Sequence, residues 1–304
     1  MATVTAVCIS PKKGTEKVNV KHGTLIENWG LKDDAHAGNW HRQISLLSAD
    51  KVEEFNKKGA NVTDGAFGEN LLVDGIDFAK LPVGTCLRCG DAVLEITQIG
   101  KECHHDCAIR QRVGDCIMPK QGVFAKVLRG GEISVGMQMH IAYKVAIITL
   151  SDKGSMGERE DISGKKIAEL LPQNYAPAVY KLLPDDRALL ESTLINLCDN
   201  EHCDLILTTG GTGFSPRDIT PEATLAVAHR NAFGIAEAIR AESMKITKRA
   251  MLSRGVSVIR GNTLIINLAG SPKAVTESMA VFMDTISHGL NLLHNTDGEC
   301  AVYN

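Results

Sequence analysis

Residues Thr208–Asp218, TTGGTGFSPRD, put three glycines among six positions and close on an arginine and an aspartate. The residues before them, DLILTT, form a compact apolar run with the length of a buried strand. Those after, ITPEATLAVAHR, offer Thr220 as a helix N-cap, Pro221 in the first turn and Glu222 near the positive end of the helix dipole. Strand, bare loop and helix are the parts of an open parallel sheet, and such sheets bind ligands beyond the carboxyl ends of their strands. Glycines let backbone N–H groups approach an anion, and a helix start adds partial positive charge. The same glycines would also serve a tight turn that needs positive φ and nothing more. A Walker loop is excluded because no Gly-Lys-Ser/Thr follows, and the dinucleotide fingerprint because Pro216 stands where its third glycine belongs. Arg217 and Asp218 favour the anion: a guanidinium can clamp phosphate bidentately, and a carboxylate beside phosphate can hold Mg²⁺.

The neighbouring segments repeat this grammar. KVAIITL, from Lys144, reads as a strand followed by the loop SDKGSMGEREDIS and the helix SGKKIAELL. YKLLPDD reads as a strand ending at Pro184, with Asp185 and Asp186 beyond it. ALLESTLINLCDN spaces Leu189, Leu190, Leu194 and Leu197 as a helix does. INLAGSPK offers Ser271 as N-cap, Pro272 in the first turn and Lys273 just inside a helix. Strands alternating with helices predict parallel βαβ units covered on both faces. Four strand ends carrying Gly, Ser, Asp and Lys could then form one anion and metal crevice; Ser151 with Asp152 as a turn opener, Asp185 in a solvated turn and Lys273 on the surface are the plainer alternatives.

Residues 1–142 differ. Short segments punctuated by turns, such as AVLEITQIG between Gly90 and Gly100, predict strands of an all-β barrel or sandwich. SLLSADKVEEFNKKG is the one helical pattern. The first 143 residues hold 17 basic and 17 acidic side chains, so the net charge of −3 resides in the rest. A seam at 142–145 is expected. The 304 residues, 44% hydrophobic, suffice for two cores. No basic block suggests nucleic acid, and neither a secretory h-region nor an apolar run of about 18 residues suggests export or a membrane span. Nine cysteines, an odd number, point to reduced thiols and a cytoplasmic setting.

The second half resembles the molybdopterin adenylyltransferase (MogA/MoaB) family through LSDKGSMGEREDISG, LLPDD, TTGGTGFSPRDITPEAT, AMLSRG and INLAGSPKA, in that order. The resemblance implies a three-layer α/β fold with a mostly parallel sheet, a trimeric homo-oligomer, and a nucleotidyltransferase that uses ATP and Mg²⁺ to adenylylate molybdopterin. It implies Asp185 and Asp218 as the acidic residues tied to Mg²⁺ and catalysis. Thr209, Gly210, Gly211, Thr212, Gly213 and Arg217 would line the nucleotide and phosphate loop. Ser151, Asp152, Ser253, Gly270, Ser271, Pro272 and Lys273 would line the rest of the pocket. Ala269, where the family commonly has proline, and FGIAEAIR, in place of Gly-Phe-Gly-Glu, are departures.

GKECHHDCAIRQRVGDC spaces its cysteines C-x3-C-x8-C, unlike the C-x2-C pairing of structural zinc sites. Metal ligands, buried thiols and a reactive thiol near Lys101, His104 and Arg110 all remain open readings for Cys103, Cys107 and Cys116. The first half resembles a MOSC domain, a β-barrel module of molybdenum-cofactor sulfurases, through CISPKKGTEK, GLKDDAHAGNWHRQISLLS, FGENLLVDGIDFAKLPVGTCLRCGDAVLEITQIGKECH and GVFAKVLRGGEISVG. That resemblance implies a sulfur-carrying or cofactor-touching role for Cys103 and an association with pyridoxal phosphate. Asp34, His36, His41 and Arg42 form a polar group that could bind phosphate or pterin, or simply hold a loop.

Both resemblances point to molybdenum-cofactor biosynthesis: residues 1–142 binding cofactor or carrying sulfur, residues 143–304 adenylylating molybdopterin. A molybdenum-insertion protein or a cysteine desulfurase would be the expected protein partners. The rival reading is a non-catalytic carrier of molybdopterin.

Overall fold

The computed structural model describes residues 2–100 and 116–294, and its chain divides into two units: Met1–Ala142 with Gln173–Ala176, and Tyr143–Pro172 with Pro177–Asn304.

The first unit contains strands β1 (Ala2–Ile9), β2 (Val18–Asn19), β3 (His22–Ile26), β4 (Gly30–Leu31), β5 (Ile44–Ser48), β6 (Leu71–Asp74), β7 (Cys86–Cys89), β8 (Ala92–Ile99), β9 (Val123–Arg129) and β10 (Gly131–Ser134), and the beginning of β11 (Gln138–Leu150). Helix α1 (Ala49–Lys57) and the short α2 (Met118–Gln121) complete it. Its main sheet runs β11-β7-β8-β9-β5-β6-β1-β2, with β1 also paired to β11, while β10, β3 and β4 form a separate small sheet. The sheet is mixed, because β5 and β6 pair in parallel and the other pairs are antiparallel. A parallel pair needs a crossover, and α1 lies in it. That corrects the helix expected to begin at Ser45: ISLLS is buried throughout as β5, and the helix starts only after Ser48. A half-buried helix cannot hide five consecutive residues, whereas a strand covered on both faces does. The AVLEITQIG segment is β8 and is buried on both faces over Ala92–Ile96.

The second unit is α/β. Its sheet runs β14 (Arg230–Asn231), β15 (Ser257–Arg260), β16 (Thr263–Leu268), β13 (Leu205–Thr209), β11 and β12 (Tyr175–Leu183). The centre is parallel, β11 with β13 and β13 with β16, and β15 and β14 add an antiparallel edge. The helices are α3 (Asp152–Ser155), α4 (Ile162–Leu170), α5 (Arg187–Asp199), α6 (Thr220–Ala226), α7 (Gly234–Ile246), α8 (Pro272–Phe282) and α9 (Ile286–Leu293). Ala146, Ile148, Leu150 and Ile206 pack against Leu190, Leu194 and Leu197 of α5 and Ala223 of α6. The period-2 rule sends the intervening Val145, Ile147 and Leu207 to the opposite face, where α4, α8 and α9 meet β13 and β16. Each fully buried leucine contributes about 1.5–3 kcal/mol. Leu189, expected in the same stripe, is 41% exposed because its position falls off the i, i+4, i+7 row of the other three.

Because β11, β13 and β16 run parallel, Leu150, Thr209 and Leu268 end at one edge of the sheet. The segments that begin at Ser151, Gly210 and Gly270 follow them, and Asp185 follows β12. Among the described residues no helix is long and apolar enough to cross a membrane.

Candidate functional site

The loop after β13 is bare for reasons visible atom by atom. Gly210 and Gly211 adopt φ of +96° and +64°. A Cβ on Gly210 would lie 2.4 Å from the carbonyl oxygen of Leu150, and one on Gly211 would lie 2.4 Å from Thr220 Oγ1. Thr220 is not the cap of α6. Ile219 takes that place, and the Thr220 hydroxyl donates instead to the carbonyl of Gly210 at 2.9 Å while its N–H donates to that of Gly211 at 3.1 Å. Helix and loop are thereby stitched together.

Beyond these strand ends lies a crevice of about 300 Å³. Ser151, Asp185, Thr209, Gly210, Gly211, Asp218, Gly270 and Pro272 line it, together with Thr149, Arg159, Asp161 and Ser163 from around α3 and α4. Asp185 and Asp152 tie their loops reciprocally: the N–H of Asp152 donates to Asp185 Oδ2 at 3.2 Å, and that of Asp185 to Asp152 Oδ1 at 3.0 Å. Asp218 Oδ2 accepts the N–H of Ser215 at 3.1 Å. Among the described residues no hydrogen bond reaches the second carboxylate oxygen of either Asp185 or Asp218. Burial, aided by the charges of Asp152 and Asp218, raises the Asp185 pKa above the usual carboxylate value. Asp152 moves the other way, held low first by its hydrogen bonds from Arg217 and then by the N–H of Asp185. Arg217 grips it through Nε at 3.1 Å and Nη2 at 2.7 Å. Among the described residues no group of three or more His, Cys, Asp or Glu side chains could cage a metal unaided.

Comparison with known proteins bears on both halves. Residues 146–288 match the family model described as a probable molybdopterin binding domain, and residues 33–140 match the MOSC domain. The molybdopterin adenylyltransferase of Helicobacter pylori is 41% identical over 152 residues, which span 49% of this chain and 86% of that protein. The chain belongs to the molybdopterin adenylyltransferase family. The Escherichia coli enzyme of that name is 38% identical over 154 residues, 48% of this chain and 79% of its own length. The crystal structure of the molybdopterin biosynthesis enzyme MoaB from Thermus thermophilus shares 44% identity, covering 50% of this chain and 97% of that one at a TM-score of 0.48.

Several residues singled out from the adenylyltransferase motifs stand away from the crevice lining. Ser271 caps α8, accepting the N–H of Ala274 at 3.2 Å, and Lys273 reaches along that helix to Glu277 at 3.8 Å. Ser253 Oγ accepts the N–H of Gly255 at 3.4 Å. Thr212 and Gly213 form the outer half of the loop, held by a residue the sequence reading passed over. Arg254 donates from its backbone to the carbonyl of Thr212 at 2.9 Å, from Nε to that of Gly213 and from Nη2 to that of Asp218, both at 2.6 Å, and pairs with Glu222. It stood in the quoted AMLSRG, but nothing in the spacing shows two carbonyls converging on one guanidinium and a third on its backbone N–H.

In the MOSC half, Cys103, His104, His105 and Cys107 lie outside the described residues. Cys116 is half-buried and packs against the cluster around α1. Asp34 is fully enclosed, with Lys17 Nζ at 2.7 Å, Asn70 Nδ2 at 3.2 Å and the N–H of Ser10 at 2.9 Å, so its oxygens are spent within the protein. His36 Nδ1 stands 3.7 Å from it. His41 and Arg42 share the side-chain oxygen of Gln98 at 3.1 and 2.8 Å, and Arg42 lies over the Phe124 ring.

Proposed function

We propose that residues 143–304 catalyse the Mg-ATP-dependent adenylylation of molybdopterin, releasing pyrophosphate. The observation that carries this is the pair of uncommitted carboxylate oxygens, one each on Asp185 and Asp218, facing a crevice kept open by glycines. Two carboxylates with hard oxygen donors suit Mg²⁺, which ordinarily completes its shell with water and substrate phosphates rather than with a full protein cage. When bound there the ion would supply charge neutralisation for the polyphosphate.

In the reaction an oxygen of molybdopterin's terminal phosphate attacks the α-phosphorus of ATP. A new P–O bond forms as the bond to the β-phosphate breaks, and pyrophosphate leaves with the electron pair. The nucleophile is already anionic, so no general base is required; positioning and charge stabilisation carry the catalysis. Gly210 and Gly211 let backbone approach the phosphates, Arg254 and Thr220 hold that loop in place, and Asp185 and Asp218 would hold the cation. Arg217 is held by Asp152 at the rim and would reach a phosphate only by leaving that pair.

We read residues 1–142 as a MOSC module that binds cofactor or carries sulfur, with Cys103 as the proposed thiol. The pairing of β1 with β11 supports a closed barrel there, since it returns the strand path to its start.

The test is incubation of the full chain with Mg-ATP and molybdopterin, following pyrophosphate and the adenylylated pterin. Both products are expected. Binding of molybdopterin without either product would make the protein a carrier.

A further inference from the structure

We propose that Arg159 is the substrate-recognising cation of the crevice, binding a phosphate group; this rests on the adenylyl-transfer reading above. Its place is fixed from both sides. Ser151 caps α3 through the N–H of Gly154, Gly157 turns the chain at a φ of +75°, and Asp161 caps α4 through the N–H of Gly164. Between these anchors Arg159 lines the crevice.

Among the described residues no ion pair or hydrogen bond engages its guanidinium. Among the residues lining the crevice Arg159 is the one lysine or arginine; at the rim Arg217 is held by Asp152 at 2.7 Å, Lys165 by Glu160 at 2.6 Å, Lys273 by Glu277 at 3.8 Å and Arg254 by the loop carbonyls, while Lys153 is exposed and outside the lining. The remaining acids of the wall are committed too. Glu160 holds Lys165, and Asp161 accepts the N–H of Gly164 and the hydroxyl of Tyr180, so neither neutralises Arg159. The crevice therefore offers two kinds of unspent group, carboxylate oxygens suited to a cation and one guanidinium suited to an oxyanion. A planar guanidinium meets phosphate in a two-point contact that lysine cannot copy. The shared chemistry has two sources, the phosphate monoester of the pterin and the triphosphate of the nucleotide. Arg159 escaped the sequence reading because GSMGERED shows it as one charge in a solvated-looking loop.

The experiment compares the full-length chain with Arg159→Ala and Arg159→Lys. KM and kcat are measured with ATP and molybdopterin varied in turn, and the dissociation constant of each is measured by calorimetry. For Arg159→Ala, one substrate's KM and dissociation constant should rise about tenfold, the loss of one charge-assisted contact, with a much smaller change in kcat. Lysine should recover part of the loss, and the substrate that moves identifies the phosphate. Unchanged constants for both substrates in a variant of native melting temperature would overturn the proposal. If the wild-type chain forms no adenylylated product, the adenylyl-transfer reading fails, yet the calorimetric comparison still decides whether Arg159 binds phosphate.

Discussion

Two pairs of carboxylates, one in each unit, are treated in opposite ways. In the first, Asp34 is sealed from solvent, and its two oxygens are answered by Lys17, Ser10 and Asn70. Nearby, Glu69 is equally buried and accepts the N–H groups of Gly65 and Phe67 at 2.7 and 3.1 Å. In the second, Asp185 and Asp218 use one oxygen each to fix their loops and keep the other open to the crevice. At Asp34 burial works against the charge, but its hydrogen bonds and the Lys17 ammonium outweigh it and hold the carboxyl low, whereas burial prevails at Asp185, as it does at Glu69, which has no cation on it, and raises both. A carboxylate whose lone pairs are answered by the protein holds a fold together; one left half-answered is available for chemistry.

This contrast is open to direct attack, beginning with Asp34. Asp34→Asn removes the charge that answers Lys17 and should destabilise the first unit by about 3–5 kcal/mol, read by chemical denaturation. A loss under about 1 kcal/mol would show that the pair is dispensable.

Glu69 gives the next effect. Burial pushes its pKa from 4.5 to about 7, so between those values the folded chain holds a proton that the unfolded chain has released. Stability must therefore fall as pH rises through that window, by about 3 kcal/mol in all. Glu69→Gln should flatten the slope in pH-dependent unfolding, even though its amide turns one N–H donor against another. A slope unchanged in that variant would assign the pH dependence to other groups.

Gly210→Ala probes the loop. The positive φ and the 2.4 Å approach to the carbonyl of Leu150 leave no room for a methyl group. A stability loss of about 1–3 kcal/mol is expected. Adenylylation should fall further than that loss explains, and a variant with full turnover would relieve the loop of any part in binding.

The loop was legible in the sequence because glycine's role is a property of the backbone, and RD after TTGGTGFSP marks its end. Parallel βαβ units put the ends of their strands on one edge, but that LPDD and the loop share one crevice depended on a strand order the sequence did not give. What could not be read were contacts between side chains far apart in the chain. Arg217 meets Asp152 across 65 positions, and Arg254 reaches Gly213 across 41. Whether Asp34 in DDAHAGNWHRQ binds a ligand or holds a loop stayed open in the sequence because its partner, Lys17, lies in a different motif. The start of α1 was misplaced for a simpler reason: two adjacent leucines between serines fit a helix turn and a strand alike, and only burial on both faces settles ISLLS as a strand.

Asp218→Asn is the substitution expected to disturb stability least. The amide oxygen can still accept the N–H of Ser215, so the loop should keep its shape and the melting temperature should stay within about 2 °C. The decisive measurement is therefore single-turnover release of pyrophosphate from Mg-ATP in the presence of molybdopterin, by the wild-type chain and by Asp218→Asn. A fall of at least about a hundredfold, with native stability, is the expected result. Turnover within about threefold of wild type would contradict the assignment of the half-answered carboxylates as the seat of catalysis.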